Sequence, residues 1–260
     1  MPSAFLDAPR PIAVAHRGGA AEAPENSLAA FRHAVSLGYH YLETDVHVTS
    51  DGVLVALHDA TLDRVTDGRG LVREQPWSQV QRARIAGSEP IPTLDALIEE
   101  FPDARWTIDA KHASSVDPLI ETIKRHGIQD RVCVGAFSDA RLTRLRWGLG
   151  PEVCTALGPR EVGRLALAAR RRDPVAAMRE VVPVGAAVVP VGVGPLPLVT
   201  RRFVAAARVV GLAVLVWTIN DVAQMKRLLD LGVDGLMTDH TTQLRELLRS
   251  RDLWAPPPEF

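Results

Sequence analysis

The chain has 260 residues, 47% of them apolar. That is enough for a sizeable core, and α/β barrels reach this length as one unit. The formal net charge of −1 excludes a global field that would draw in nucleic acid or an anionic membrane, so any anion site must be local.

The N-terminal stretch MPSAFLDAPRP has neither a basic n-region nor a long apolar h-region, and no segment offers the roughly 18 uninterrupted apolar residues of a spanning helix. The expectation is a soluble, cytoplasmic protein with no stable membrane insertion. A first strand, IAVA at 12–15, runs into His16, Arg17 and two glycines. A helix is read through Leu37, closed by Gly38, and Asn26 before it is read equally as a functional residue or as its N-cap. The second strand is YLETDV at 41–46. An insertion follows at about 47–92, read as a hairpin through Asp51-Gly52 and a turn-rich loop over the barrel mouth. Thr93 then opens the helix LDALIEEF.

Strands are predicted next at 105–110, 132–136, 153–157, 186–191, 213–218 and 235–239. The helices between and after them are predicted at 118–126, 139–147, 161–170, 198–210, 221–231 and 242–249. Asn220 is read as a helix cap, and the tail WAPPPEF as an extended appendage. The arginines of RLTRLRW and ARRRD read as solvated helix faces, because acids and apolar residues interrupt them. Cys133 and Cys154 lie in apolar segments without CxxC or Cys/His spacing, which favours buried thiols over a disulfide or a zinc site. Eight strand–helix repeats point to a (β/α)8 TIM barrel, one domain over 1–260 with a small hairpin and loop insertion after strand two. An open doubly wound sheet would need a Gly-rich phosphate turn after strand one, and HRGGAAEAPEN is not GxGxxG.

In such a barrel, reacting groups gather at the C-terminal ends of the strands. His16 and Arg17 are there. Glu43 and Asp45 are two apart on strand two, so both carboxylates face one side. Unpaired buried carboxylates are costly, and a cation between them relieves that cost. Asp109 and Lys111 repeat the two-residue spacing at the end of the third strand. Glu43, Asp45 and Asp109 form an all-oxygen set that suits Mg2+ or Ca2+ better than Zn2+. Arg17, Lys111 and the cation would together receive a phosphate. His58 closes the run VLVALHD. For Asp59, Asp63 and Arg64, loop capping and turn formation are equally good explanations. Trp217 is read equally as a pocket wall or a core aromatic. His33, His40, His47, His112, His126 and His240 carry no strong claim, and for His47 the start of the hairpin leaves its direction open.

HRGG, PENS, ETDVHVTSDGVLVALHD, LDRVTDGRG and VWTIND occur here in an order and spacing that closely resemble the glycerophosphodiester phosphodiesterase family. The dense motifs span residues 14–70. The resemblance implies a (β/α)8 barrel that hydrolyses a glycerol phosphodiester to glycerol 3-phosphate and an alcohol. It implies acid/base catalysis by His16 and His58, phosphate binding by Arg17, and metal binding by Glu43 and Asp45. One position departs from the pattern: the family usually has glutamate where this chain has Asp109, ahead of the matching Lys111. Two rival functions use the same barrel. One is a phospholipase D-like hydrolase of lysophospholipids or sphingolipids, for which VGVGPLPLV at 191–199 would form an apolar lip. The other is a non-catalytic phosphodiester-binding barrel, against which the two histidines argue, because binding alone needs no pair of proton-transfer groups.

Overall fold

A computed structural model describes residues 3–171 and 185–254. The appendage expected beyond Trp254, and the end of the arginine run at 172–173, lie outside the described residues. Among the described residues, eight parallel strands form the barrel: β1 Ile12–Ala15, β2 Tyr41–Val48, β3 Arg105–Ala110, β4 Val132–Gly135, β5 Cys154–Ala156, β6 Gly185–Pro190, β7 Ala213–Trp217 and β8 Gly235–Thr238. Each pairs with the next, and β1 pairs with both β8 and β2, which closes the ring. The helices after them are α1 Leu28–Ser36, α2 Leu94–Glu100, α3 Val116–His126, α4 Asp139–Leu149, α5 Pro159–Ala168, α6 Arg201–Val209, α7 Val222–Leu231 and α8 Thr241–Arg249. The predicted (β/α)8 architecture is the observed one. Among the described residues no helix is long and apolar enough to cross a membrane.

Side-chain alternation divides the core into layers. On β2, Leu42 and Val46 pack outward against the helices, while Tyr41 joins Ile12, Val14, Cys133, Ala213 and Leu215 inside the barrel. Glu43 and Asp45 share the inward side with Tyr41. The chain before β1 plugs the N-terminal end: Phe5 is fully buried, and its carbonyl accepts hydrogen bonds from the Tyr41 hydroxyl (2.6 Å) and Arg105 (3.1 Å). Cys133 and Cys154 are buried side by side on β4 and β5.

Three local expectations are corrected. Ser27, not Asn26, caps α1, its hydroxyl accepting from the Ala30 amide (3.1 Å). Asn26 is instead buried in a left-handed conformation and accepts from the Thr44 hydroxyl (2.8 Å). Asp221, not Asn220, caps α7, leaving the Asn220 amide for another task. Strand two runs on to Val48, because Val46, His47 and Val48 pair with the antiparallel hairpin strand Leu54–Ala56. His47 is thereby held inward, where Nε2 meets the His58 carbonyl at 3.1 Å. The insertion has a small core of its own, with Val55, Leu57, Leu62, Val72, Val80 and Ile85.

Candidate active site

His16, Arg17, Glu43, Asp45, His58, Asp109, Lys111 and Trp217 all line one cavity of about 550 Å³. The barrel strands supply most of them from their C-terminal ends, while His58 reaches the cavity from the insertion.

The turn after β1 explains HRGG. Arg17 adopts a left-handed conformation (φ 51°), a costly one for a side-chain-bearing residue, and this turns its amide to the Glu43 carboxylate at 2.9 Å. Gly18 follows at φ 81°, where a Cβ would stand 2.7 Å from that of Ala30. The second residue of the motif is therefore strained toward the site, and the glycine lets α1 pack beneath it.

Both histidines are held in the same way. His16 Nδ1 lies 2.7 Å from Asp239 Oδ1, and His58 Nδ1 lies 2.7 Å from Asp59 Oδ1. An ionised carboxylate there fixes the hydrogen on Nδ1 and leaves Nε2 as the exchangeable nitrogen. His16 Nε2 faces Glu43 at 3.9 Å. Asn220 locks the arrangement: its amide donates to Asp239 Oδ2 (2.7 Å), and its oxygen accepts from the Asp239 amide (3.0 Å) and the Thr238 hydroxyl (3.1 Å).

The cations interleave with the carboxylates. Lys111 Nζ bridges Asp45 (2.7 Å) and Asp109 (2.8 Å), and Arg17 pairs with Asp45 (3.2 Å) and Glu25 (3.0 Å). Burial raises the Glu43 carboxyl to about 7, and Asp45 adds to the rise. Burial acts the same way on Asp45, but Lys111 and Arg17 outweigh it and bring its carboxyl below the usual range. Burial would depress His16, yet Glu43 and Asp239 prevail and raise it. For Lys111 the burial penalty is likewise overcome, by Asp45 and Asp109.

The donor set fits a hard divalent cation. It is all oxygen, and two of its buried atoms, Asp45 Oδ2 and Asp109 Oδ1, receive no hydrogen bond. Arg17 Nε, near the first, is too poorly aligned to donate to it. Among the described residues, no three His, Cys, Asp or Glu side chains already surround one point. The ammonium of Lys111 lies between Asp45 and Asp109 instead.

Sequence reasoning passed over Asp239, Asn220 and Glu25 as parts of this cluster and left Arg64 open between the site and a turn. Asp239 carried a usable signal, since it closes the last barrel strand just as Asp109 closes the third. Glu25 and Arg64 lie in the motifs PENS and LDRVTDGRG, but nothing in the sequence showed that they meet, because that depends on how the insertion folds back.

Fold and cluster together define a (β/α)8-barrel enzyme with charged groups converging on the strand ends. The glycerophosphoryl diester phosphodiesterase family model matches residues 16–243. A Mycobacterium tuberculosis protein named "Probable glycerophosphodiester phosphodiesterase 2" is 35% identical over 94% of this chain and 92% of its own. A Caldanaerobacter subterraneus glycerophosphodiester phosphodiesterase is 27% identical over 92% and 98%. Among solved structures, an Oleispira antarctica phosphodiesterase in complex with the product sn-glycerol-3-phosphate superposes with a TM-score of 0.77 at 24% identity, over 92% of this chain and 97% of that one. The chain belongs to the glycerophosphoryl diester phosphodiesterase family.

Proposed function

We propose that this chain hydrolyses glycerophosphodiesters to sn-glycerol 3-phosphate and an alcohol, with His16 and His58 dividing the proton transfers. The observation that carries the reading is the matched pair of Asp-bound histidines on one cavity with Arg17 and Lys111. Binding a phosphodiester needs only the cations, whereas cleaving one needs a base and an acid. Arg17 and Lys111 hold the phosphate and offset its charge. One histidine takes the proton of the nucleophile, either the substrate's neighbouring hydroxyl or water. The other gives its proton to the departing alkoxide. Asp239 and Asp59 keep the two rings oriented through their Nδ1 contacts. Trp217 forms part of the wall beside the substrate.

Glu43, Asp45 and Asp109 would hold a divalent cation, Mg2+ or Ca2+, with Lys111 Nζ turning from Asp45 toward the phosphate. When bound, the cation neutralises phosphate charge. Assays of sn-glycerol 3-phosphate release from glycerophosphocholine test this arrangement. A chelator should abolish release, and Mg2+ or Ca2+ should restore it. Asp109→Ala should raise the metal concentration required, while Asp109→Glu, which keeps the charge on a longer arm, should stay active. An unchanged metal requirement in Asp109→Ala would remove Asp109 from the ligand set.

The apolar half of the cavity favours a second reading, hydrolysis of monoacyl glycerophosphodiesters. Phe137, Leu157, Val162, Val188, Val193 and Leu198 line the same cavity as the charged residues. Phe137 (64% exposed) and Val193 (65%) extend the apolar surface outward, and Leu196 (68%) shares the hairpin with Val193. That hairpin lies in the apolar lip expected from VGVGPLPLV. A Homo sapiens relative, 27% identical over 91% of this chain, is named lysophospholipase D. On this reading KM falls as the acyl chain lengthens, and Phe137→Ser with Val193→Ser raises KM for lysophosphatidylcholine but not for glycerophosphocholine. A KM independent of chain length would count against it.

A further inference from the structure

Arg64, on the insertion, stands between two carboxylates from different parts of the chain. Its Nη1 and Nη2 donate to Glu25 (both 2.8 Å), and its Nε and Nη2 donate to Asp59 (2.6 and 3.1 Å). Each carboxylate also holds a residue that lines the cavity. Asp59 takes His58 Nδ1 at 2.7 Å, and Glu25 takes Arg17 Nη1 at 3.0 Å. We propose that Arg64 is a positioning residue that couples the insertion to the barrel, fixing His58 through Asp59 and Arg17 through Glu25.

The planar guanidinium suits this task. It offers donors along two edges at fixed angles, so one side chain engages two carboxylates, which an ammonium on a flexible stem does not reproduce. Ionisation supports the same picture. Hydrogen bonds from Arg64 are the main cause that lowers the Asp59 carboxyl to about 2. At Glu25 the upward push of burial is overcome chiefly by Arg64 and then Arg17. The loop itself is anchored elsewhere: Leu62 is buried in the insertion core, and the Thr66 amide bonds the Leu62 carbonyl at 3.1 Å. Because the Arg64 side chain is 47% exposed, truncating it opens no core. An ordinary exposed ion pair would move neither kcat nor KM.

The proposal rests on the roles given above to His58 and Arg17, and the test separates the two. kcat and KM on glycerophosphocholine are measured for Arg64→Ala, Arg64→Lys, Asp59→Asn, Glu25→Gln, the Asp59→Asn/Glu25→Gln double variant with and without Arg64→Ala, and His58→Ala. Displacements on the order of 1 Å cost about 10²-fold in well-organised sites, so Arg64→Ala should lower kcat roughly 10- to 100-fold and also raise KM. Asp59→Asn should act mainly on kcat and Glu25→Gln mainly on KM. Added guanidinium should restore part of the Arg64→Ala activity and none of the Asp59→Asn loss, and Arg64→Lys should fall short of wild type. In the double variant, Arg64→Ala should change activity by no more than about two-fold, since the charge-assisted part of both contacts is already removed. Should Arg64→Ala fail to fold, Arg64→Lys carries the comparison. The coupling is overturned if Arg64→Ala matches wild type while His58→Ala is inactive, or if its full loss persists in the double variant. Wild-type turnover in His58→Ala would instead overturn the catalytic reading beneath it.

Discussion

His16→Ala and His58→Ala are each expected to lower kcat on glycerophosphocholine roughly 10²- to 10⁴-fold, the ordinary contribution of a positioned proton-transfer group. Each ring has Nδ1 on an aspartate at 2.7 Å, but one follows β1 and the other stands on the insertion. Their losses should therefore separate when the leaving group changes. A glycerophosphodiester of a strongly acidic alcohol needs no protonation as the bond to oxygen breaks. It should rescue whichever variant lacks the acid and leave the variant lacking the base slow. Metal affinity, read by calorimetric titration, should stay near wild type in both. Near-normal turnover of both variants on glycerophosphocholine would remove the histidines from the chemistry.

The second large effect should come from the paired carboxylates. Glu43→Gln combined with Asp45→Asn keeps the shape of both side chains and removes both charges. Asp45 is 2% exposed and is the common partner of Arg17 and Lys111, so neutralising it leaves two largely buried cations without their shared counter-charge. The double variant should bind no Mg2+ or Ca2+ in a titration. A bound cation contributes several kcal/mol of charge stabilisation, so at about 1.4 kcal/mol per decade kcat/KM should fall roughly 10²- to 10³-fold. Retention of wild-type kcat/KM by a variant that no longer binds metal would separate the carboxylates from catalysis.

Much of this arrangement follows from periodicity. The inward side of β2 is legible because a strand alternates with period two, which places Glu43 and Asp45 on one side whatever surrounds them. The same logic at β3 gave Asp109 and Lys111. Every barrel strand was legible as a short apolar run ahead of a helical pattern. Contacts distant in sequence were less accessible. Asp239 meets His16 across 223 positions because closing the barrel brings β8 beside β1. Arg64 meets Glu25 across 39 positions through an irregular loop for which no periodicity exists. Cap assignments failed by one residue at Asn26 and Asn220. In each case a neighbour able to cap, Ser27 or Asp221, took that task, and the asparagine bonded into a neighbouring strand or its end. The course of β2 past Val46 depended on a partner strand that only the folded hairpin supplies.

Phosphorus-31 NMR of the products formed from glycerophosphocholine by the purified, metal-supplied protein tests the central claim most directly. The account predicts conversion to sn-glycerol 3-phosphate with release of choline, blocked by chelator and abolished in the His16→Ala/His58→Ala double variant. Phosphocholine and glycerol as products, or equal conversion by the double variant, would contradict it.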